Sequence, residues 1–187
     1  MSKPWDGLSA PYSTIVADPP WRYEQGGPRS EPDPTSGRVA RFHPPPYPTM
    51  TVAEIAALPV ADLADRHAHL YLWTTNRYLR DAFDVAKAWG FKHSQTLTWC
   101  KPPRGIGPGG AFSNTTEFVL YCRRGSLPYQ TRIDTTWWQW KRRAHSVKPD
   151  EFMDVVERIS PGPYVELFAR AARPGWDRWG NQAPIHG

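Results

Sequence analysis

Ser13-Thr14-Ile15-Val16-Ala17-Asp18-Pro19-Pro20-Trp21 joins a short apolar run to a rigid polar corner, and the reading of the whole chain turns on it. Residues 13–17 read as a buried strand. The two prolines that follow have no N–H to donate and fix the backbone, so their carbonyls are presented outward where a ligand can use them. An amine on a flat ring suits such a corner. Asp18 accepts one amine proton, the Pro19 carbonyl accepts another, and Trp21 or Tyr23 covers the ring face.

The amine of adenine or cytosine is a poor nucleophile because its lone pair is delocalised into the ring. Two fixed acceptors draw it toward tetrahedral geometry and free the lone pair to attack an electrophilic methyl carbon. The corner therefore points to methyl transfer onto an exocyclic base nitrogen. In a chain with 21 prolines, a proline pair that merely ends a strand is the plain alternative.

At 187 residues the chain is expected to form one domain, residues 1–187, with a substantial core. A formal charge of +5 favours an anionic substrate or polyanionic partner, weakly. The ten tryptophans are more telling, because an indole needs a stacking surface or a partner for its N–H. Cys100 and Cys122 each end an apolar run with no metal-like spacing, and are expected as free thiols in adjacent strands. No metal site is expected. Without a secretory or membrane-spanning pattern, the expected location is the cytoplasm.

Residues 22–49 carry no apolar period and read as a loop, which its start at the Asp-Pro-Pro-Trp corner makes a candidate lid. Thr51 and Glu54 form a capping box for a helix through Ile55 and Leu58. Ala68–Thr74 reads as a strand, Leu79, Phe83 and Ala86 mark a helix ending at Gly90, and Phe91–Cys100 and Glu117–Cys122 read as strands. Pro149 opens a helix with an apolar stripe at Phe152, Val155, Val156 and Ile159, and Tyr164–Phe168 is a further strand. This alternation predicts an α/β sandwich with a parallel sheet covered on both faces. Ligands of such sheets bind beyond the carboxyl ends of the strands, where Asp18 and the stretch after Phe168 fall.

The ordered landmarks Ala17-Asp18-Pro19-Pro20-Trp21, Tyr47-Pro48-Thr49-Met50, Leu72-Trp73-Thr74, Trp89-Gly90-Phe91, Trp99-Cys100-Lys101, His145 to Glu151, Glu166 to Arg170 and Gly180-Asn181-Gln182 resemble a known family. It is the MT-A type adenine-N6 methyltransferases, relatives of the catalytic subunit that writes N6-methyladenosine in messenger RNA, with small prokaryotic and phage members. The resemblance runs from Ile15 to Gln182. It implies a Rossmann-like methyltransferase sandwich with permuted motif order, the catalytic motif before the cofactor motif, and S-adenosylmethionine as donor.

By this resemblance Asp18, Pro19, Pro20 and Trp21 are the catalytic acceptors and base-stacking wall, and Tyr47 is part of a gate over the target base. Asp18, Lys148, Phe168, Arg170, Asn181 and Gln182 are candidate cofactor contacts, with Lys148 facing the methionine carboxylate beside a helix start. Glu166 either holds the loop or touches the ribose. Tyr23, Lys101, Trp138 and Arg143 are further candidates for contact with substrate. Residues 123–143, with Arg123, Arg124, Arg132 and Lys141 to Arg143 among Tyr129, Trp137, Trp138 and Trp140, read either as a single-strand groove or as a solvated loop with core tryptophans.

The expected activity is methylation of the N6 amine of adenine in nucleic acid, DNA before RNA by analogy with stand-alone members. Cytosine-N4 methylation would use the same acceptors, and a catalytically silent subunit that binds nucleic acid and supports a partner is the reading from another class. Target binding is expected from the domain itself, on a single strand or a flipped base, or from a partner or second subunit.

Overall fold

The computed structural model describes residues 5, 7–23, 47–103, 112–141 and 147–180. Among the described residues seven strands form one sheet: β1 (Tyr12–Ala17), β2 (Ala64–Thr74), β3 (Lys92–Cys100), β4 (Thr116–Arg124), β5 (Trp137–Gln139), β6 (Tyr164–Leu167) and β7 (Trp176–Trp179). Their spatial order is β5-β3-β4-β2-β1-β6-β7. Among the described residues three α-helices accompany them, α1 (Val52–Ala56), α2 (Leu79–Ala88) and α3 (Asp150–Ile159). The α/β class expected from the alternation is present.

The sheet is mixed, which corrects the expectation of a parallel one. β4 runs antiparallel to both β2 and β3, while β1 is parallel to β2 and β6, β6 to β7, and β3 to β5. The physical reason lies in the connection. A loop without a described helix joins β3 to β4, and parallel neighbours need a crossover that such a loop does not supply. Reversal puts the first residues of β4 at the same edge as the last residues of every other strand. β5 and β7, three and four residues long, were not expected and extend the two edges.

Period-two alternation buries both faces of the central strands. Ile15, Ala17, Leu70 and Leu72 pack on one side with Ile55 of α1 and Ala82 and Val85 of α2. Val16, Tyr71 and Trp73 point to the other side, against Phe152 and Val156 of α3. The capping box at Thr51 forms as expected, the Thr51 amide donating to Glu54 Oε2 at 2.7 Å and the Glu54 amide to Thr51 Oγ1 at 3.2 Å. Among the described residues no helix is long and apolar enough to cross a membrane. Both cysteines are free thiols in neighbouring strands, and burial pushes the Cys122 thiol up to about 12.

Candidate active site

The chain leaves β1 toward α1 on one face and returns through α3, on the other face, to β6 directly beside β1. Such a switch in direction opens a crevice at the carboxyl ends of the two strands. Asp18 follows β1 there and Phe168 follows β6. Phe168 takes φ 65°, a left-handed conformation that costs a residue with a Cβ about 1–2 kcal/mol. It turns the chain sharply out of the sheet, and strained bends of this kind collect at binding sites.

Four charged side chains form an alternating chain across the crevice. Lys148 Nζ donates to Asp18 Oδ2 at 2.7 Å and lies 3.4 Å from Glu117 Oε2, whose other oxygen pairs with the Lys101 ammonium. The ammonium of Lys148 also sits 5.1 Å over the Trp73 ring, and that of Lys101 4.8 Å over Trp99. Burial pushes the Glu117 carboxyl up, but Lys148 and Lys101 outweigh it and hold the group below the usual carboxylate range. Burial lowers Lys148, and Asp18 and Glu117 outweigh that, leaving its pKa raised. Asp18 therefore has a cation fixed against one oxygen.

Glu117 was not among the candidates read from the sequence. A glutamate before Phe118-Val119-Leu120 looks like the solvated start of a strand, and only the reversal of β4 carries it to the carboxyl edge. The charge of a residue just outside an apolar run was the available signal. Lys148 was expected to face a ligand carboxylate. Its first partner is instead Asp18, with the ammonium placed just ahead of α3, whose first turn carries Asp150 and Glu151.

The corner itself is more occupied than its sequence suggests. The Pro19 carbonyl accepts the Trp21 amide at 2.8 Å and the Pro20 carbonyl accepts the Met50 amide at 2.8 Å. Each retains a second lone pair. Trp21 is only 5% exposed, stacks on Tyr78 at 5.2 Å and donates its indole N–H to the Trp73 carbonyl at 3.2 Å. This corrects its reading as an open base-stacking wall: the apolar ring gains more by filling the space over α2 than by facing water. Tyr23 is half-buried beside it, its hydroxyl 2.8 Å from Thr75 Oγ1, and burial raises its pKa.

Two recesses meet at Asp18, Phe168 and Arg170. One, of about 400 Å³, runs past Trp73, Lys148 and Glu166. The other, of about 100 Å³, is walled by Tyr47, Met50, Trp179 and Gly180. The Arg170 guanidinium lies 4.6 Å over the Tyr47 ring, so the proposed gate residue and a proposed cofactor contact meet. A Cβ on Gly180 would fall 2.7 Å from the Ala169 carbonyl oxygen, so only glycine lets the chain leave β7 this close to the bend after β6. Asn181 and Gln182 come next but lie outside the described residues, as do Arg143 and most of the expected lid.

Burial, with Asp18 adding repulsion, pushes the Glu166 carboxyl up to about 7. Among the described residues nothing donates a side-chain hydrogen bond to it. Lys101 is bound to Glu117, and Trp138 lines neither recess but stacks on Trp140 at 5.2 Å. The expected groove over residues 123–143 is divided. Arg123 and Arg124 lie at the far end of β4, where they donate to the carbonyls of Leu127 and Ala61, at 2.9 Å each. Among the described residues no cluster of His, Cys, Asp or Glu could hold a metal ion.

Residues 12–182 match the MT-A70 family. The type II methyltransferase M.MunI of a Mycoplasma species is 30% identical over 186 residues, which span 92% of this chain and 78% of that protein. The N(6)-adenosine-methyltransferase MT-A70-like protein of Drosophila melanogaster is 30% identical over 181 residues, 91% of this chain and 27% of its own length. The human N(6)-adenosine-methyltransferase catalytic subunit METTL3 is 26% identical over 181 residues, again 91% of this chain and 28% of its own length. The chain thus spans about a quarter of these two adenosine methyltransferases.

Proposed function

Because the chain belongs to the MT-A70 family, we propose that it is an S-adenosylmethionine-dependent methyltransferase acting on the N6 amine of adenine in nucleic acid, with DNA the first choice of polymer. The observation that carries the reading is Asp18, held by Lys148 at 2.7 Å at the point where two recesses meet. DNA comes first by analogy with the small prokaryotic and phage members of the family.

S-Adenosylmethionine, when bound, supplies an electrophilic methyl group on a sulfonium sulfur. The residues around the crevice suit it. Glu166 is a carboxyl largely out of water that lacks a donor among the described residues, as ribose hydroxyls or an ammonium would provide. Lys148 has further donors for a carboxylate beyond its bond to Asp18. Arg170, Phe168, Asn181 and Gln182 complete the set, so the catalytic motif precedes the cofactor motif along the chain.

Asp18 Oδ1, left free by Lys148, and the second lone pair of the Pro19 carbonyl accept the two amine hydrogens of the target base. The amine is thereby drawn out of conjugation with the ring. The proton it loses passes to solvent or transiently to Asp18, and Lys148 holds the Asp18 side chain in place for the transfer. Tyr47 and Tyr23 close over the base from either side of the corner, a role Trp21 cannot share.

The test is to incubate the full chain and S-adenosylmethionine with DNA and with RNA, digest each to nucleosides and identify the products by mass. N6-methyldeoxyadenosine is expected. N4-methylcytosine in either polymer, or no methylated nucleoside from either, overturns the assignment.

A further inference from the structure

A third cavity, of about 310 Å³, opens on the α3 face of the sheet and shares no residue with the two recesses at Asp18. Ser94 and Gln95 at the start of β3 and Ile159 at the end of α3 border it, so it lies toward the opposite end of the strands. We propose that this cavity is a second binding site, for a nucleotide: an aromatic ring bearing an anionic group.

Its walls supply what each half of that ligand needs. Tyr121 and Trp138 offer ring surfaces, and Leu97, Val155 and Ile133 complete an apolar slot for a flat ring. At the rim Ser94, Gln95 and Thr131 present polar groups that can read a base edge. The charge is of one sign. Arg123 and Arg132 line the cavity and, among the described residues that line it, there is no carboxylate. Among the described residues Arg123 donates through Nη2 to the Leu127 carbonyl, while its Nε is buried with no partner. A planar guanidinium with unspent donors in an apolar setting is a strong anion site.

The floor is rigid. Tyr71 and His69 both reach Ser160 Oγ at 2.7 Å, and Tyr121 reaches His69 Nε2 at 3.1 Å. Burial lowers the His69 pKa to about 4, so this network stays neutral and leaves the arginines as the cavity's charge. At the mouth Arg132 donates from Nε and Nη2 to the Tyr129 hydroxyl at 3.2 and 3.0 Å, and its guanidinium lies 5.7 Å from the Tyr129 ring centroid. An exposed tyrosine and arginine held together at a cavity mouth form a lid for a stacked ring and a clamp for its phosphate.

The nucleotide could be free or could belong to a strand, and one experiment separates these sources without depending on the methyl-transfer reading. The ¹⁵N-labelled full chain is titrated with adenosine 5′-monophosphate, with adenosine, and with a single strand of about eight nucleotides. Saturable shifts at the Ser94, Gln95 and Thr131 amides are expected. The monophosphate should bind about tenfold more tightly than adenosine, the scale of one charge-assisted contact. Arg132→Ala should erase that difference, and Ile133→Trp, which fills the cavity, should remove the shifts while circular dichroism confirms the fold. Shifts with the monophosphate identify a free nucleotide as ligand, and shifts with the strand alone identify a strand nucleotide. If neither probe shifts these amides, or if both variants respond as the wild type does, the cavity is not a nucleotide site.

Discussion

Helix α3 joins two polar clusters that differ in almost every physical respect. At its start, Lys148 ties Asp18 to Glu117 and Lys101 in a chain of four charges open to the crevice. At its end, Ser160 ties His69 to Tyr71 in a neutral network, and His69 and Ser160 are fully buried. Charges survive where strand ends leave room for water and ligands. Deep between helix and sheet the desolvation of a charge is not recovered, so the imidazole stays neutral and the cluster can only hold shape. One end of the helix therefore lies at the proposed site of chemistry, while the other fixes the helix that delivers Lys148.

The largest effect should come from the charged end. Asp18→Ala is expected to lower turnover by at least about a thousandfold while cofactor affinity stays within about tenfold, measured by labelled methyl transfer and calorimetry. Retained turnover would break the comparison outright. Ser160→Ala should act in the opposite sense, costing about 2–3 kcal/mol in urea unfolding because it strands His69 and Tyr71, with activity per folded molecule unchanged. A loss of activity without loss of stability would show that the neutral end also takes part in chemistry.

Glu117→Gln should lower kcat about tenfold with little change in KM, since it removes one of two carboxylates holding Lys148 against Asp18. The smallest effect belongs to Glu166, whose carboxyl is raised from 4.5 to about 7 on folding. A raised acid favours the protonated form in the native state, so its contribution is present below pH 4.5 and is lost as pH rises through about 7. Glu166→Gln should flatten that decline, worth on the order of 1 kcal/mol after allowing for partial exposure, in melts recorded between these limits. An unchanged slope would mean that the carboxyl ionises in the native state as it does in water.

Much of this was legible beforehand. The apolar runs that became β1, β2 and β6, the capping box at Thr51 and the stripe of α3 each depend on neighbours a few residues apart. The strand after α3 was recognised one residue too long, because Phe168 is as apolar as Leu167 and only its left-handed backbone ends the strand. Trp21 shows the opposite failure. An indole beside a functional corner suits a ligand or a core equally well, and its burial against Tyr78 depends on where α2 begins.

Local order along the chain by itself determined the α/β class, the position of Asp18 beyond a buried strand, and the order of motifs by which the family is known, because periodicity and chain stiffness are short-range properties. Tertiary structure alone decided that β4 runs backward, that Glu117 thereby joins Lys148 at the crevice, and that the arginine and tryptophan stretch divides between two ends of the sheet. Alternating burial is the same for a strand in either direction, and direction is set only when hydrogen-bonded neighbours far apart in sequence pair.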